Sequence, residues 1–137
     1  MALSARAVRV GDAREEVVVD DLSRTQIVMY AGASGDFQPL HTDEPFARAM
    51  GFRGTFAHGM LTMGLAGKPL AAWVGHDRLL RYRARFLAQV WPGDTLTTRL
   101  TLTAVRADAL EADVAIETRN QDGVAVLAGD ATARLDP

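Results

Sequence analysis

The sequence predicts an α+β fold in which one long buried helix is wrapped by a curved antiparallel sheet. Three observations carry that prediction. Residues 59–74, GMLTMGLAGKPLAAWV, are apolar on nearly every side, and a helix of that kind has to be surrounded by protein. From Arg81 onward the apolar period changes to two, which is the period of a half-buried strand. A sheet built from such strands has an apolar face that needs a cover, and the apolar helix is the segment that can supply it. At 137 residues the chain is long enough for one hydrophobic core, so 1–137 is read as a single domain.

The elements follow in order. Val8–Gly11 and Glu16–Val19 read as short extended pieces around a turn at Gly11-Asp12. Ser23 then starts a helix: its hydroxyl suits the N–H of Gln26, the Gln26 side chain suits a return contact, and Leu22 and Ile27 are spaced as a hydrophobic staple. That helix runs to about Ala33 and breaks at Ser34-Gly35. A second short helix starts at Thr42 or Asp43, with Pro45 in its first turn and Gly51 past its end. The third, apolar helix begins near His58-Gly59, is expected to kink or split at Pro69, and stops at Gly75. Strands are expected at 81–86 with an extended continuation through Leu87–Val90, and at 96–105, 110–118 and 124–135. The intervening turns are Pro92-Gly93-Asp94, Ala107-Asp108 and Gln121-Asp122-Gly123. Short links between four successive strands predict a simple meander.

Composition narrows the function. Fifteen Lys and Arg stand against seventeen Asp and Glu, so no basic field exists to hold nucleic acid. There is no cysteine, which removes disulfides, thiolate catalysis and cysteine metal sites. The first residues, MALSARAVRVGD, lack the apolar core of a signal peptide, and residues 59–74 are too short and too interrupted by Lys68 and Pro69 to span a bilayer. A cytoplasmic location is the expectation.

The chemistry-bearing stretch is 30–43, YAGASGDFQPLHTD, where Asp36 and His41 flank Pro39. A five-residue separation is a poor fit to one helix face, and Pro39 interrupts a helix in any case. The two side chains are therefore expected to converge across a bend. A carboxylate and an imidazole aimed into one site are what proton transfer near neutral pH requires. The histidines and scattered carboxylates show no metal-ligand spacing, so no metal is expected.

These residues, together with ARAMGF (47–52), AHGMLTM (57–63), Arg85-Phe86 and Pro92-Gly93-Asp94, resemble the MaoC-like hydratase/dehydratase family of the hot dog fold. The likeness covers nearly the whole chain and leans toward the single-domain (R)-specific enoyl-CoA hydratases and (3R)-hydroxyacyl-ACP dehydratase subunits. The resemblance implies that Asp36 and His41 are the acid–base pair that manages water at the double bond of a trans-2-enoyl thioester. It implies that the Gly59 N–H points at the thioester carbonyl, with His58 and Met60 beside it. No cofactor is implied, and the setting is fatty acid metabolism on coenzyme A or acyl carrier protein. One position departs from the family habit: Gln38 stands where Asn is usual.

Elementary physics agrees about Gly59, because an N–H at a helix start is a preorganised donor for developing negative charge. Each residue also has a plainer reading. His41 can be a loop histidine bonded to a carbonyl, Asp36 an Asx-turn residue, His58 a packing or loop-orienting residue, and Gly59 a site of tight helix–sheet contact. His76 reads as a solvated loop residue. Ser34 and Thr62 are explained as readily by capping and backbone bonding as by chemistry. Arg81, Arg83 and Arg85 share one strand face, either as solvated or paired charges or as contacts for carrier phosphates. Phe52–Phe56, Met60, Met63 and the segment around Trp73 are expected to line the pocket. A thioesterase on the same fold, or the catalytic half of a heterodimer, are the competing readings. A lone copy leaves a sheet edge open, so a homodimer or a pair of related chains is expected.

Overall fold

In the computed structural model, which describes residues 3–137, the alternating segments fold into one five-stranded antiparallel sheet. Its strands are β1 (Ala13–Val19), β2 (Leu79–Phe86), β3 (Leu96–Arg106), β4 (Glu111–Arg119) and β5 (Ala125–Arg134), in the spatial order β1-β3-β4-β5-β2. The period of two does the sorting. Leu96, Thr98, Leu100 and Leu102 of β3 face inward and are buried, as are Ala112, Val114, Ile116 and Thr118 of β4.

The expected four-strand meander holds only for β3, β4 and β5. β2 pairs with β5, from Leu79↔Ala133 to Phe86↔Leu127, and does not touch β3. The reason is the connection. Residues 87–95 are too many for a hairpin of about two to five residues, and they are tied to other elements. Leu87 N–H donates to the Val126 carbonyl at 2.9 Å, and the Val90 carbonyl accepts from Ala57 N–H at 2.8 Å. Leu87–Val90 is accordingly a tethered loop and not the extended continuation its sequence suggested. Likewise Val8–Gly11 forms no strand; the extended piece there is β1 alone, paired with β3.

Three α-helices lie before β2: α1 (Arg24–Ser34), α2 (Glu44–Ala49) and α3 (Gly59–Val74). Ser23 caps α1 by accepting from Gln26 N–H at 3.0 Å, and Leu22 and Ile27 are both buried in one cluster, as a staple requires. Asp43 caps α2 by accepting from Phe46 N–H at 3.1 Å. α3 is continuous through Pro69, which is buried in the core; tertiary packing holds the helix together across the missing backbone bond. Ala66, Leu70 and Val74 of α3 share one core cluster with Leu100, Val114, Ile116 and Ala131 of the sheet and with Leu135 just past β5. A second cluster joins the first half of the helix, Leu61 and Leu65, to Leu22, Ile27, Val90 and Leu96. Among the described residues no helix is long and apolar enough to cross a membrane.

Candidate active site

The loop carrying Asp36 exists because α1 cannot continue. Gly35 takes the left-handed conformation at φ 76°, where its N–H donates to the Ala31 carbonyl and closes the helix. Asp36 N–H donates to Ser34 Oγ at 3.1 Å, and Asp36 Oδ1 accepts from Gln38 N–H at 3.3 Å. Pro39–His41 then forms a single 3₁₀ turn, so the chain bends as Pro39 requires. The Asx-turn reading of Asp36 is thus physically present. Its carboxylate still converges with His41, because one donor atom each from Asp36, His41 and His58 lies within 4.8 Å of the other two.

His41 is held by its far nitrogen. Nδ1 sits 2.6 Å from the Phe56 carbonyl, which can only accept, so Nδ1 carries the proton and Nε2 is left with the free lone pair. The ring meets Phe56 edge-on at 5.3 Å and stacks on His58 at 3.8 Å with a 25° interplanar angle. His58, the N-cap residue of α3, is 2% exposed. Its Nε2–H donates to the carbonyl of Asp36 at 3.1 Å, and Tyr30 of α1 packs edge-on against it at 4.8 Å. Its Nδ1 is the buried side-chain polar atom without a hydrogen-bond partner among the described residues.

The electrostatics follow from that packing. Burial pushes the His58 imidazole below its ordinary value of 6.5, and the neighbouring His41 adds to the effect, while the Asp36 carbonyl and carboxylate oppose it. A neutral His58 lies flat under His41. With Nδ1 of His41 and Nε2 of His58 both committed to carbonyls, the nitrogens left to bind a proton or a metal are His41 Nε2 and His58 Nδ1.

Gly59 opens α3 as its first residue, so its N–H has no acceptor within the helix. It lines a cavity of 290 Å³ with Phe56, Ala57, Thr62, Phe86 and the loop 87–90. A Cβ on Gly59 would lie 2.8 Å from the Phe86 ring, so the tight-packing reading of this glycine is also met. Met60 is 55% exposed and does not line that cavity. Trp73 lines a separate cavity of 380 Å³ at the other end of α3, and Met63 packs on the core. His76 is exposed, as read. Arg81 and Arg83 both pair with Asp130, at 3.2 and 3.0 Å, which favours the plain reading of those two. The Gln38 side-chain amide makes no hydrogen bond among the described residues; only its backbone N–H braces Asp36.

Residues 6–123 match the model of the MaoC like domain. This chain belongs to the MaoC-like domain family. The (R)-specific enoyl-CoA hydratase of Aeromonas caviae is 29% identical over 138 residues, covering 97% of this chain and 99% of that protein. The solved (R)-hydratase from A. caviae superposes with a TM-score of 0.84 at 26% identity, covering 95% of this chain and 98% of that one. Enoyl-CoA hydratase 2, peroxisomal, of Arabidopsis thaliana is 32% identical over 103 residues, covering 73% of this chain. Of curated relatives such as this one the MaoC-like chain spans a third or less of the length. One partner-bound likeness is the solved ChsH1-ChsH2 complex from Mycobacterium tuberculosis, with a TM-score of 0.82 at 25% identity over 93% of this chain and 98% of that one. The fold is therefore α+β, as the helix and sheet predicted, and it is the hot dog fold that the family resemblance implied.

Proposed function

We propose that this MaoC-like chain is a hydro-lyase that adds water across the double bond of trans-2-enoyl thioesters and removes it from (3R)-3-hydroxyacyl thioesters. The observation that carries the reading is the convergence of Asp36 with His41, whose tautomer leaves Nε2 basic. A base there and a carboxylate within reach can hold one water between them. As the water oxygen bonds to C3 and the C2–C3 π pair moves toward the thioester, one of the two groups takes a proton from that water, and the same proton is then delivered to C2, so that both groups return to their starting states. Charge builds on the thioester oxygen as the C2–C3 bond reorganises. In this reading the N–H of Gly59, at the start of α3 and aided by the helix dipole, receives it, and loss of one such donor typically costs about 3 kcal/mol of transition-state stabilisation. Water and these groups suffice, so the reaction calls for no cofactor.

The names of the relatives from A. caviae and Arabidopsis support the reaction class. Loss of crotonyl-CoA absorbance on addition of the protein tests it. Turnover that survived both Asp36→Asn and His41→Gln would sink the mechanism, and thiol release from saturated acyl-CoA would favour the thioesterase instead.

A second subunit belongs to this reading. Asp36 is exposed, and Phe37 next to it in the chain, Met29 on α1, and Leu87 and Phe86 at the Gly59 cavity are 69%, 68%, 54% and 49% exposed. An apolar surface of this kind beside polar chemistry fits an interface. A second copy, or a related hot dog chain as in the ChsH1-ChsH2 complex, would cover it and close the open edge of β2. Light scattering of the chain expressed alone separates the two: a dimer supports self-pairing, a monomer a different partner.

A further inference from the structure

A cluster of charge outside the Asp36–His41 pair is left unused by this chemistry. Arg24, Arg48, Arg53, Gly54, Thr55, Trp91 and Pro92 surround a cavity of 250 Å³ together with Glu44. Three guanidinium groups therefore face one carboxylate. Glu44 is fully engaged: Arg24 Nη1 donates to it at 2.8 Å, Arg48 Nη2 at 3.3 Å, and the N–H and hydroxyl of Thr55 at 3.3 Å each. Its Oε1 would lie 2.5 Å from a Cβ on Gly54, so glycine there leaves room for this carboxylate to hold both arginines in place. Arg53 has no carboxylate partner among the described residues. Its guanidinium lies 4.0 Å over the Trp91 ring, a cation–π contact that fixes the plane and leaves its N–H groups free.

The patch is joined to the candidate active site by rings. Arg53 stacks on Trp91, Trp91 meets Phe56 at 5.7 Å, and Phe56 meets His41 at 5.3 Å. By contrast, the larger cavity around Trp73 is lined by one arginine and two glutamates, Arg14, Glu15 and Glu16, so it repels anions. Arg81 and Arg83 share one aspartate between them. Arg85 of β2 has no carboxylate partner among the described residues and lines a separate cavity with Arg83 and Asp130, whereas Arg24, Arg48 and Arg53 form the positive cluster that the ring contacts join to His41.

We propose that Arg24, Arg48 and Arg53 form a docking site for the phosphate groups of the substrate's thiol carrier, with Arg53 the principal contact. Planar guanidiniums bind phosphate oxygens through paired hydrogen bonds, and their exposure makes the contact sensitive to salt. The inference rests on the hydratase reading, because a pantetheine thioester is what links a phosphate to an acyl group at Gly59. Coenzyme A and the prosthetic arm of an acyl carrier protein share the 4′-phosphate; only coenzyme A adds the diphosphate and nucleotide.

The test compares crotonyl thioesters of pantetheine, 4′-phosphopantetheine and coenzyme A, in wild type and Arg53→Ala, at low and moderate salt. Arg53→Ala is expected to raise KM for the coenzyme A thioester about fivefold more than KM for the phosphate-free pantetheine thioester, with kcat held. Added salt should shrink that difference. An effect already present with 4′-phosphopantetheine places the shared phosphate at Arg53, and an effect confined to coenzyme A places the nucleotide end there; either supports the site. Arg99→Ala, which removes the same charge from β3, should leave all three KM values unchanged. Equal KM changes on all three thioesters, or none, would overturn the proposal. If wild type turns over none of them, the hydratase reading fails on its own. Calorimetry with coenzyme A then decides the patch: binding weakened by Arg53→Ala keeps it, and absence of binding to wild type removes it.

Discussion

The two ends of α3 rest on the same sheet and are packed in opposite ways. Toward its C-terminus, Ala66, Leu70 and Val74 are 1% exposed or less and belong to one apolar cluster with buried residues of β3, β4 and β5. At its N-terminus, burial is spent on an imidazole with one unpartnered nitrogen, while Met60, Phe86 and Leu87 remain about half exposed. The closed end is completed by the chain itself. The open end carries titratable groups and an unfinished apolar surface, and it is also where the candidate chemistry lies. Stability and reactivity should therefore be separable by substitution.

The largest separation is expected at the open end. His41→Gln or Asp36→Asn should lower kcat on crotonyl-CoA by about a thousandfold, the middle of the usual range for a lost acid or base. Because Asp36 is exposed, Asp36→Asn should shift unfolding free energy by less than about 0.5 kcal/mol in a urea titration. Closed-end changes should do the reverse. Leu102→Ala should cost about 3 kcal/mol in the same titration and spare kcat below its melting temperature. Gly129→Ala should cost about 2 kcal/mol or more, since its Cβ would overlap the backbone of Arg83 and Ala84 on β2. Preserved stability in either variant would break the account of the closed end.

Smaller effects sharpen the boundary between the ends. His58→Phe keeps a buried ring under His41 but removes the donor to the Asp36 carbonyl, so kcat should fall about tenfold with folding retained. The same variant tests a pH effect. Burial lowers the folded pKa of His58 below 6.5, so the unfolded chain takes up its proton first as the solution is acidified. This contribution to stability is complete above that value and declines as pH falls from there through the folded pKa. Urea midpoints of wild type should drop over that window, and those of His58→Phe should drop less. Ser23→Ala should remove about 1 kcal/mol from α1 without altering either end, which circular dichroism melts would register.

The sequence was most legible where a residue's own identity decides the outcome. Ser23 and Asp43 cap their helices, Gly35 and Gly75 end theirs, and Pro39 makes the bend that brings Asp36 to His41. It was least legible where the partner has no identity. Strand order was misjudged because the alternation in β2 says which face is buried and nothing about which neighbour it finds. A carbonyl contact of His41 is among its plain readings, but which carbonyl holds it, and that His58 is held in the same way, are not legible, for a related reason. Both bond to backbone carbonyls, of Phe56 and Asp36, and a carbonyl leaves no mark in a sequence. The stacking of Arg53 on Trp91 joins residues far apart in the chain, and neither carries a motif.

The Phe56 carbonyl has one more consequence. Residues 55–58 must at once place that oxygen on His41 Nδ1 and deliver His58 to the start of α3. Both tasks are done by backbone positions, so the constrained property of this segment is its length. Side-chain exchange at Phe56 leaves the oxygen where it is, whereas one inserted or deleted residue moves the carbonyl, the imidazole stack and the helix start out of register together. Among descendants of this sequence, gaps are therefore expected to be purged from 55–58 more strictly than substitutions.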